Sequence, residues 1–282
     1  MTYRDLTIII TTFKSEHKIK KCLNSIDPRI KVILVENSNS IEFKKEIESH
    51  FSNVICELTN DNLGYGKANN IGLKKVRTKY ALILNPDTIL SSNSLNSFFE
   101  FVRRNDDFTI LGPNQSGRLS NLDNSISGEL EFFETDKIYG YAMFLNIKKL
   151  KNIGFFDENI FLYLEETDLC KRVKDAKGKI LICPNIIIFH YGGQSVNNHY
   201  ANQIELARNW HWMWSLFYFS KKHYGYLSAL ILTLPKLLSS IIKMSFYFLI
   251  SNKQNKEIYS KRFSGIINSM LGKRSWYRPN LD

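Results

Sequence analysis

Cysteine is scarce in this chain of 282 residues, which has four: Cys22, Cys56, Cys170 and Cys183. No two of them form a Cys-x-x-Cys pair, so the pattern does not indicate a structural zinc site. The N-terminus also lacks the pattern of a secretory signal peptide. We therefore expect reduced cysteines and a cytoplasmic protein.

Several familiar active-site motifs are missing as well. There is no Gly-x-x-x-x-Gly-Lys-Ser/Thr sequence and no Gly-x-Ser-x-Gly sequence, which argues against P-loop nucleoside triphosphatases and serine hydrolases. Gly64-Tyr-Gly66 resembles the start of a dinucleotide-binding loop, but Asn69 stands at the place of the third glycine. NAD-dependent enzymes are therefore not favoured.

Acidic residues are nearly absent from the C-terminal part. From residue 200 onwards, twelve Lys and Arg face three acidic residues, so this part carries +9 of the total charge of +11. A basic segment of this kind attracts an anionic surface, either lipid headgroups or nucleic acid.

Strands and helices alternate through the first half of the chain. Apolar, β-branched runs predict strands at residues 6–11, 31–36, 54–58 and 80–85, and helices are predicted near residues 15–25, 41–51 and 65–76. This order predicts a mostly parallel sheet with right-handed crossovers. Regular structure is expected to resume at 137–145, followed by a helix near 148–153. Residues 179–183 and 186–190 predict another strand or strand pair, and residues 113–135 predict a long surface loop of the kind that often covers a site.

The segment 227–250 is strongly apolar but carries Lys236 and Lys243. These lysines recur with Thr233 and Ser240 every three or four residues, which predicts one polar stripe on a helix. Two charges near the middle argue against a simple membrane span. We expect an interfacial helix anchored by Trp and Lys; the alternative is a helical subdomain packed on the core.

The apolar strand at 80–85 ends in Asn85-Pro-Asp87. Open α/β folds bind ligands at the carboxyl edge of the sheet, where this strand would deliver Asp87. A carboxylate there suits Mg²⁺ or Mn²⁺, which offsets the charge of a diphosphate leaving group. Alternatively, Asp87 caps the next helix or shapes a turn after Pro86.

Three carboxylates, Glu165, Glu166 and Asp168, fall within four positions at the start of a predicted helix. Their mutual repulsion and burial would raise at least one pKa, which suits a general base. Alternatively, they complement the positive end of the helix. His190, at the end of another apolar strand, would complete a metal shell with Asp87 or bind phosphate, unless it is a hydrogen-bonded structural histidine.

Taken in order, the motifs of residues 5–200 resemble family 2 glycosyltransferases, in particular the rhamnosyltransferase-like branch that builds bacterial surface polysaccharides. The resemblance rests on Ile8-Ile-Ile-Thr-Thr-Phe13, Val32-Ile-Leu-Val-Glu-Asn-Ser38, Asn62-Leu-Gly-Tyr-Gly-Lys-Ala-Asn-Asn-Ile-Gly72, Leu84-Asn-Pro-Asp-Thr88, Gly154-Phe-Phe-Asp157, Phe161-Leu-Tyr-Leu-Glu-Glu-Thr-Asp-Leu-Cys170 and His190-Tyr-Gly-Gly193.

The resemblance implies a GT-A fold, with a Rossmann-like, mostly parallel sheet, over residues 1–200. The composition predicts a basic helical extension at the membrane interface over residues 201–282. It implies an inverting transfer with Glu166 as catalytic base, Asp168 in support, and Asp87 and His190 holding a divalent cation, Mn²⁺ or Mg²⁺. The donor nucleotide would contact Thr11, Thr12, Phe13, Glu36, Asn62, Gly64, Asn69 and Asn85.

Two residues depart from the family pattern. Glu36 stands where Asp is usual, which would shift its contact to the base by a methylene. Asn85 replaces the first acid of the metal motif, which leaves fewer anionic ligands. We therefore expect the donor diphosphate to supply some of the metal ligands.

The expected reaction moves rhamnose from dTDP-rhamnose to a lipid-linked or cell-surface glycan acceptor, such as lipopolysaccharide, at the inner face of the cell membrane. One alternative is another hexose from a UDP-sugar. Two others are a relative that binds sugar nucleotides without turnover and a nucleic-acid-binding protein that uses the basic tail. Nucleic acid is not an expected partner, since that function would leave the motifs of residues 5–200 unexplained.

Overall fold

A computed structural model describes residues 2–91, 93–114, 132–191 and 200–278. The chain divides into two compact units. The first comprises Met1–Phe156 and Glu166–Val196, and the second comprises Asp157–Glu165 and Asn197–Asp282. Each unit is described by itself.

The described part of the first unit is built on a main sheet and a small two-stranded sheet. The strands are β1 Leu6–Thr12, β2 Lys31–Glu36, β3 Val54–Leu58, β4 Tyr80–Leu84, β5 Thr88–Leu90, β6 Ile110–Gly112, β7 Phe133–Glu134, β8 Ala142–Asn146, β9 Ile180–Ile182 and β10 Ile188–His190. The helices are α1 Glu16–Asn24, α2 Ile41–His50, α3 Tyr65–Lys75, α4 Ser94–Arg104, α5 Ile147–Ile153 and α6 Glu165–Asp175.

The main sheet has the strand order β3-β2-β1-β4-β8-β6-β9-β7. Strands β1 to β4 pair in parallel, β8 is antiparallel to both β4 and β6, and β6 is parallel to β9. Strands β5 and β10 form the separate antiparallel pair. The carboxyl ends of β1, β2 and β4 therefore meet at one edge, where a ligand site is expected.

Helices cover both faces of this sheet, which explains why its parallel strands are continuous apolar runs. Ile8 and Ile10 pack with residues of α1, α2 and α4 on one face. Ile9 packs with residues of α3, α5 and α6 on the other. The packing under α3 is close, since a Cβ on Gly72 would lie 2.6 Å from Ile9 Cγ2. The mostly parallel sheet flanked by helices is thus confirmed.

Some local predictions were incomplete. In the segment 137–145, regular structure begins with β8 at Ala142, and in the segment 186–190, residues Ile188–His190 form β10, which pairs with β5. Neither β5 nor β6 was predicted. Of the loop expected at 113–135, residues 115–131 lie outside the described residues, and Phe133–Glu134 forms β7 at the edge of the sheet.

The second unit contains three long helices, α7 Ala201–Tyr224, α8 Tyr226–Leu249 and α9 Lys253–Met270. Residues with positive φ make the turns between them: Gly225 at 87° and Ser251 at 56°. After α9 the chain returns to α7, where Trp214 Nε1 donates to the Lys273 carbonyl at 3.0 Å. The expected C-terminal helical region is confirmed.

Helix α8 turns its apolar side outward. Its buried residues are the small or hydroxylated Ala229, Thr233 and Ser240, and both hydroxyls donate to carbonyls of their own helix. Its exposed large apolar residues are Tyr226, Leu227, Ile231, Leu232, Leu234, Leu238, Ile241, Ile242, Phe246, Phe248 and Leu249. The predicted polar stripe is therefore divided, with its hydroxyls buried and its two lysines exposed. By length and composition alone, α8 is long and apolar enough to cross a membrane.

Candidate active site

The pairing of β5 with β10 brings Asp87 and His190 together. In this antiparallel register His190 lies opposite Thr88, and the Tyr191 N–H donates to the Asp87 carbonyl at 3.1 Å. His190 Nε2 then lies 3.3 Å from Asp87 Oδ1. The Asp87 side chain is fully buried, whereas that of His190 is 29% exposed. A buried carboxylate and an accessible imidazole thus meet just beyond the carboxyl end of β4.

Tyr141 fixes the plane of the His190 ring. The two rings stack with centroids 4.6 Å apart and planes inclined by 8°. The Tyr141 carbonyl accepts from the Asn85 N–H at 2.8 Å, and its hydroxyl donates to the Asn114 carbonyl at 3.1 Å. The segment ending at Asp87 and the segment entering β8 are therefore tied together.

Glu166, the second residue of α6, lies against the residue that precedes Tyr141. A Cβ built on Gly140 would lie 3.7 Å from Glu166 Cβ and 3.7 Å from Tyr65 Cε1. The Tyr65 hydroxyl also donates to the Gly140 carbonyl. Glu166 and His190 therefore contact consecutive residues, which places both next to the carboxyl end of β4.

Burial raises the pKa of Glu166, although Lys137 nearby acts in the opposite direction. A carboxylate with a raised pKa holds a proton more readily than an ordinary glutamate does, which is the property required of a general base.

The Asp168 carboxylate forms an ion pair with Arg172 of the same helix. It is fully buried, and Arg172 Nε donates to its Oδ2 at 2.8 Å. The same guanidinium donates to the carbonyls of Ile153, Gly154 and Phe155. Asp168 therefore holds Arg172, and Arg172 holds the turn after α5.

Glu36 ends β2 with its carboxylate turned into its own loop. Its oxygens accept from the Ser38 N–H at 2.9 Å, the Ser38 hydroxyl and the Ser40 N–H at 2.7 Å. The neighbouring Asn37 donates to Asn62 Oδ1 at 3.0 Å. This link between the β2 end and the loop at Asn62 was not predicted, since nothing in the spacing of the two asparagines indicates their contact.

That loop leads into α3 through Gly64, whose φ of 81° favours glycine. The Gly64 N–H donates to Asn62 Oδ1 at 3.1 Å. At the end of β1, the Thr12 hydroxyl donates to the Val35 carbonyl at 3.5 Å, and the Phe13 N–H donates to Ser15 Oγ at 3.4 Å. The predicted nucleotide residues at the ends of β1 and β2 are thus on neighbouring strands.

Three predicted donor residues present buried oxygens without a hydrogen-bond partner among the described residues: Thr11 Oγ1, Asn69 Oδ1 and Asn85 Oδ1. Thr11 and Asn85 lie at the carboxyl ends of the adjacent strands β1 and β4. Buried polar atoms are normally paired because leaving them unpaired is costly. A polar ligand at this edge would supply the missing partners.

A pocket beside Asp87 is lined on one side by Lys18 and Lys21 of α1 and on the other by residues 86–89 and Tyr191. These lysines were not among the predicted site residues. The available signal was a pair of lysines three positions apart on the helix that follows β1, which is also common on solvated helix faces.

The donor set at Asp87 fits a divalent cation in part. A carboxylate and an imidazole 3.3 Å apart suit Mn²⁺ or Mg²⁺. Within residues 2–91, 93–114, 132–191 and 200–278, however, no group of three or more His, Cys, Asp or Glu side chains could hold a metal ion. The pair fits a cation that receives its other ligands from a diphosphate or from water.

Comparison with known proteins decides the family. The family model described as Glycosyl transferase family 2 matches residues 7–166. The chain belongs to this family. Its fold and its class of enzyme, a glycosyltransferase, agree with the resemblance found in the sequence.

Two curated relatives of this family 2 glycosyltransferase are each 24% identical to it. The rhamnosyltransferase WbbL of Escherichia coli aligns over 258 residues, which cover 76% of this chain and 92% of the relative. The low-salt glycan biosynthesis hexosyltransferase Agl10 of Haloferax volcanii aligns over 208 residues, covering 66% and 67%.

Solved structures confirm the GT-A fold. S. aureus TarS 1-349 has a TM-score of 0.54 at 15% identity, covering 97% of this chain and 93% of that protein. The mannosyltransferase PcManGT from Pyrobaculum calidifontis, in complex with GDP-Man and Mn²⁺, has a TM-score of 0.59 at 11% identity, covering 96% and 88%.

Proposed function

We propose that this enzyme transfers a sugar from a nucleoside-diphosphate donor to an acceptor hydroxyl by a single inverting displacement. One observation carries the proposal: Asp87 with His190, and Glu166 with its raised pKa, approach the consecutive residues Gly140 and Tyr141 at the carboxyl edge of the sheet.

The donor nucleotide occupies the carboxyl ends of β1, β2 and β4. The unpartnered oxygens of Thr11, Asn69 and Asn85 support this assignment, because a nucleoside and its ribose bring hydrogen-bond donors. The nucleotide-contacting set is Thr11, Thr12, Phe13, Glu36, Asn62, Gly64, Asn69 and Asn85. Lys18 and Lys21 add positive charge on the side of Asp87 where phosphate oxygens would lie.

Asp87 and His190 hold the divalent cation. When bound, the cation supplies positive charge that stabilises the departing nucleoside diphosphate. Two solved structures with the GT-A fold support this part of the proposal, since they are described in complex with GDP-Man and Mn²⁺ and with UDP, GalNAc and Mn²⁺.

Glu166 acts as the general base. Its carboxylate takes the proton of the acceptor hydroxyl while that oxygen bonds to the anomeric carbon. The bond from the anomeric carbon to the diphosphate oxygen breaks, and the diphosphate leaves with the electron pair. Asp168 supports this step by holding Arg172, which in turn holds the turn after α5.

The donor proposed first is dTDP-rhamnose, because the relative that aligns over 92% of its own length is named a rhamnosyltransferase. A second candidate is another hexose from a UDP-sugar. It is favoured by the hexosyltransferase relative and by the structural neighbour solved with UDP-GlcNAc.

A thermal-shift screen of nucleoside-diphosphate sugars, with and without Mn²⁺, tests the proposal. We expect a rise in melting temperature for one donor that depends on Mn²⁺. Asp87→Asn should remove the metal dependence, whereas the matched Asp106→Asn, an exposed carboxylate of the first unit outside the proposed site, should retain it. If no donor stabilised the protein under any condition, or if Asp87→Asn kept the full metal-dependent shift, the proposal would be wrong.

The acceptor is lipid-linked, and the enzyme works at the inner membrane surface with α8 lying in the headgroup region. The outward apolar side of α8 and the net charge of +9 from residue 200 onwards support this arrangement. A crossing α8 is disfavoured because a tight turn folds α9 back along it. Residues 253–262 of α9 carry five charged side chains that would enter the bilayer too.

A further inference from the structure

Two consecutive bulky residues with left-handed backbone conformations precede α6, the helix that contains Glu166. Tyr163 has a φ of 69° and Leu164 a φ of 67°, and α6 begins at the next residue. This conformation is costly for residues with large side chains and persists only where the surroundings hold it. Contacts within the second unit hold this turn in place.

Side chains of α7 bind the turn. Ser215 is buried, and its hydroxyl donates to the Leu162 carbonyl at 2.8 Å. The Tyr163 ring meets the Trp212 ring edge-on with centroids 5.5 Å apart. These contacts fix the backbone immediately before the two left-handed residues.

The Phe161 ring contacts an aromatic ring and a guanidinium group. The His211 ring stacks on it with centroids 4.4 Å apart, and the Arg278 guanidinium lies 3.5 Å from its ring centroid. His211 is itself fixed by hydrogen bonds to Ser275 Oγ at 2.9 Å and to the Tyr277 carbonyl at 2.8 Å. Residues 275–278 thus also stabilise the turn, through His211 and through Phe161.

Helix α7 also binds Asp157, the residue at the start of the segment 157–164. Asp157 Oδ2 accepts from the Tyr218 hydroxyl at 3.0 Å and from Lys222 Nζ at 2.7 Å. Besides Trp212, contacts from α7 come from positions 211, 215, 218 and 222, which are spaced by four, three and four residues. That spacing places them on one face of the helix.

We propose that this face of α7 positions the general base. By holding residues 157–164, it fixes the left-handed turn and therefore the backbone that leads directly into Glu165 and Glu166. Ser215 is then a positioning residue and not a catalytic one. The inference rests on the proposed role of Glu166.

The test compares Ser215→Ala with Ser240→Ala. Both remove a buried hydroxyl from a helix of the second unit, but Ser240 donates only within α8. Because small displacements of a catalytic group greatly slow a reaction, we expect Ser215→Ala to lower kcat about tenfold, with the donor KM within about twofold. The acidic limb of its kcat profile should move to lower pH, because a displaced Glu166 is better solvated. Ser240→Ala should leave both properties unchanged.

A second variant tests the role of strain. Glycine adopts the left-handed conformation without the steric cost, so adding Leu164→Gly to Ser215→Ala should restore most of kcat. The proposal is overturned if Ser215→Ala has wild-type kcat, if it raises KM alone, or if Leu164→Gly restores nothing in a folded double variant. Should Glu166→Gln itself retain wild-type transfer, the proposed function fails instead.

Discussion

Replacing Ile242 with aspartate should release the protein from anionic vesicles without unfolding it. Ile242 is 68% exposed on α8, so the folded protein gains little from its side chain in water. Burying a whole isoleucine contributes about 1.5–3 kcal/mol, so transfer of the exposed part into the headgroup region would contribute roughly 1.5 kcal/mol, or about tenfold in partitioning. Repulsion between the new carboxylate and anionic lipid adds to that loss.

Cosedimentation with phosphatidylglycerol-containing vesicles measures the effect. Adding Ile231→Asp, at a residue 65% exposed on the same helix, should bring the loss of binding to roughly a hundredfold. Gln254→Asp is the charge-matched control for the single variant Ile242→Asp, because it adds one negative charge at an exposed polar position of α9. Wild-type vesicle binding by the double variant would refute the membrane assignment. Unfolding of Ile242→Asp would show that the outward side of α8 is covered by protein.

Two further predictions concern the charged groups. Lys222 and Asn159, against the effect of burial, lower the pKa of Asp157 from 3.8 to about 2. Its folded pKa is depressed, so its stabilisation of about 2 kcal/mol should be complete above pH ~4 and vanish as the pH falls toward 2. Asp157→Asn should reduce the fall of the melting temperature between pH ~4 and pH ~2. An unchanged slope would contradict the assignment. Lys21→Gln should raise the donor KM several-fold at low salt and less at high salt, with kcat unchanged; a salt-independent KM would exclude a role in phosphate binding.

The central fold could be predicted because its strands are long apolar runs. Strands β1 to β4 each contain five to seven residues rich in Ile, Val and Leu, so their position needed no tertiary information. Strands β5 and β6 have three residues each, which is too short for a periodic signal. The pairing of β5 with β10 joins residues a hundred positions apart, and local sequence does not encode that register.

Only part of the site could be predicted, because local sequence shows apolar runs but not tertiary contacts. Asp87, Glu166 and His190 follow recognisable apolar runs, and the structure places Asp87 beside His190 and Glu166 against Gly140. Lys21 depends on where α1 lies over the sheet. The contacts of α7 with residues 157–163 were hidden because its polar residues are interleaved with aromatic ones, which the sequence analysis assigned to membrane anchoring.

The roles of Glu166 and of the donor site can be separated most directly in single-turnover transfer by Glu166→Gln with donor at saturation. Glutamine keeps the size of the side chain but cannot accept the proton. The chemical step should therefore slow by about 10²–10⁴-fold while the donor Kd stays within about twofold of wild type. A chemical step at the wild-type rate would contradict the assignment of the base. An equal loss of donor binding would contradict the separation of the base from the nucleotide site.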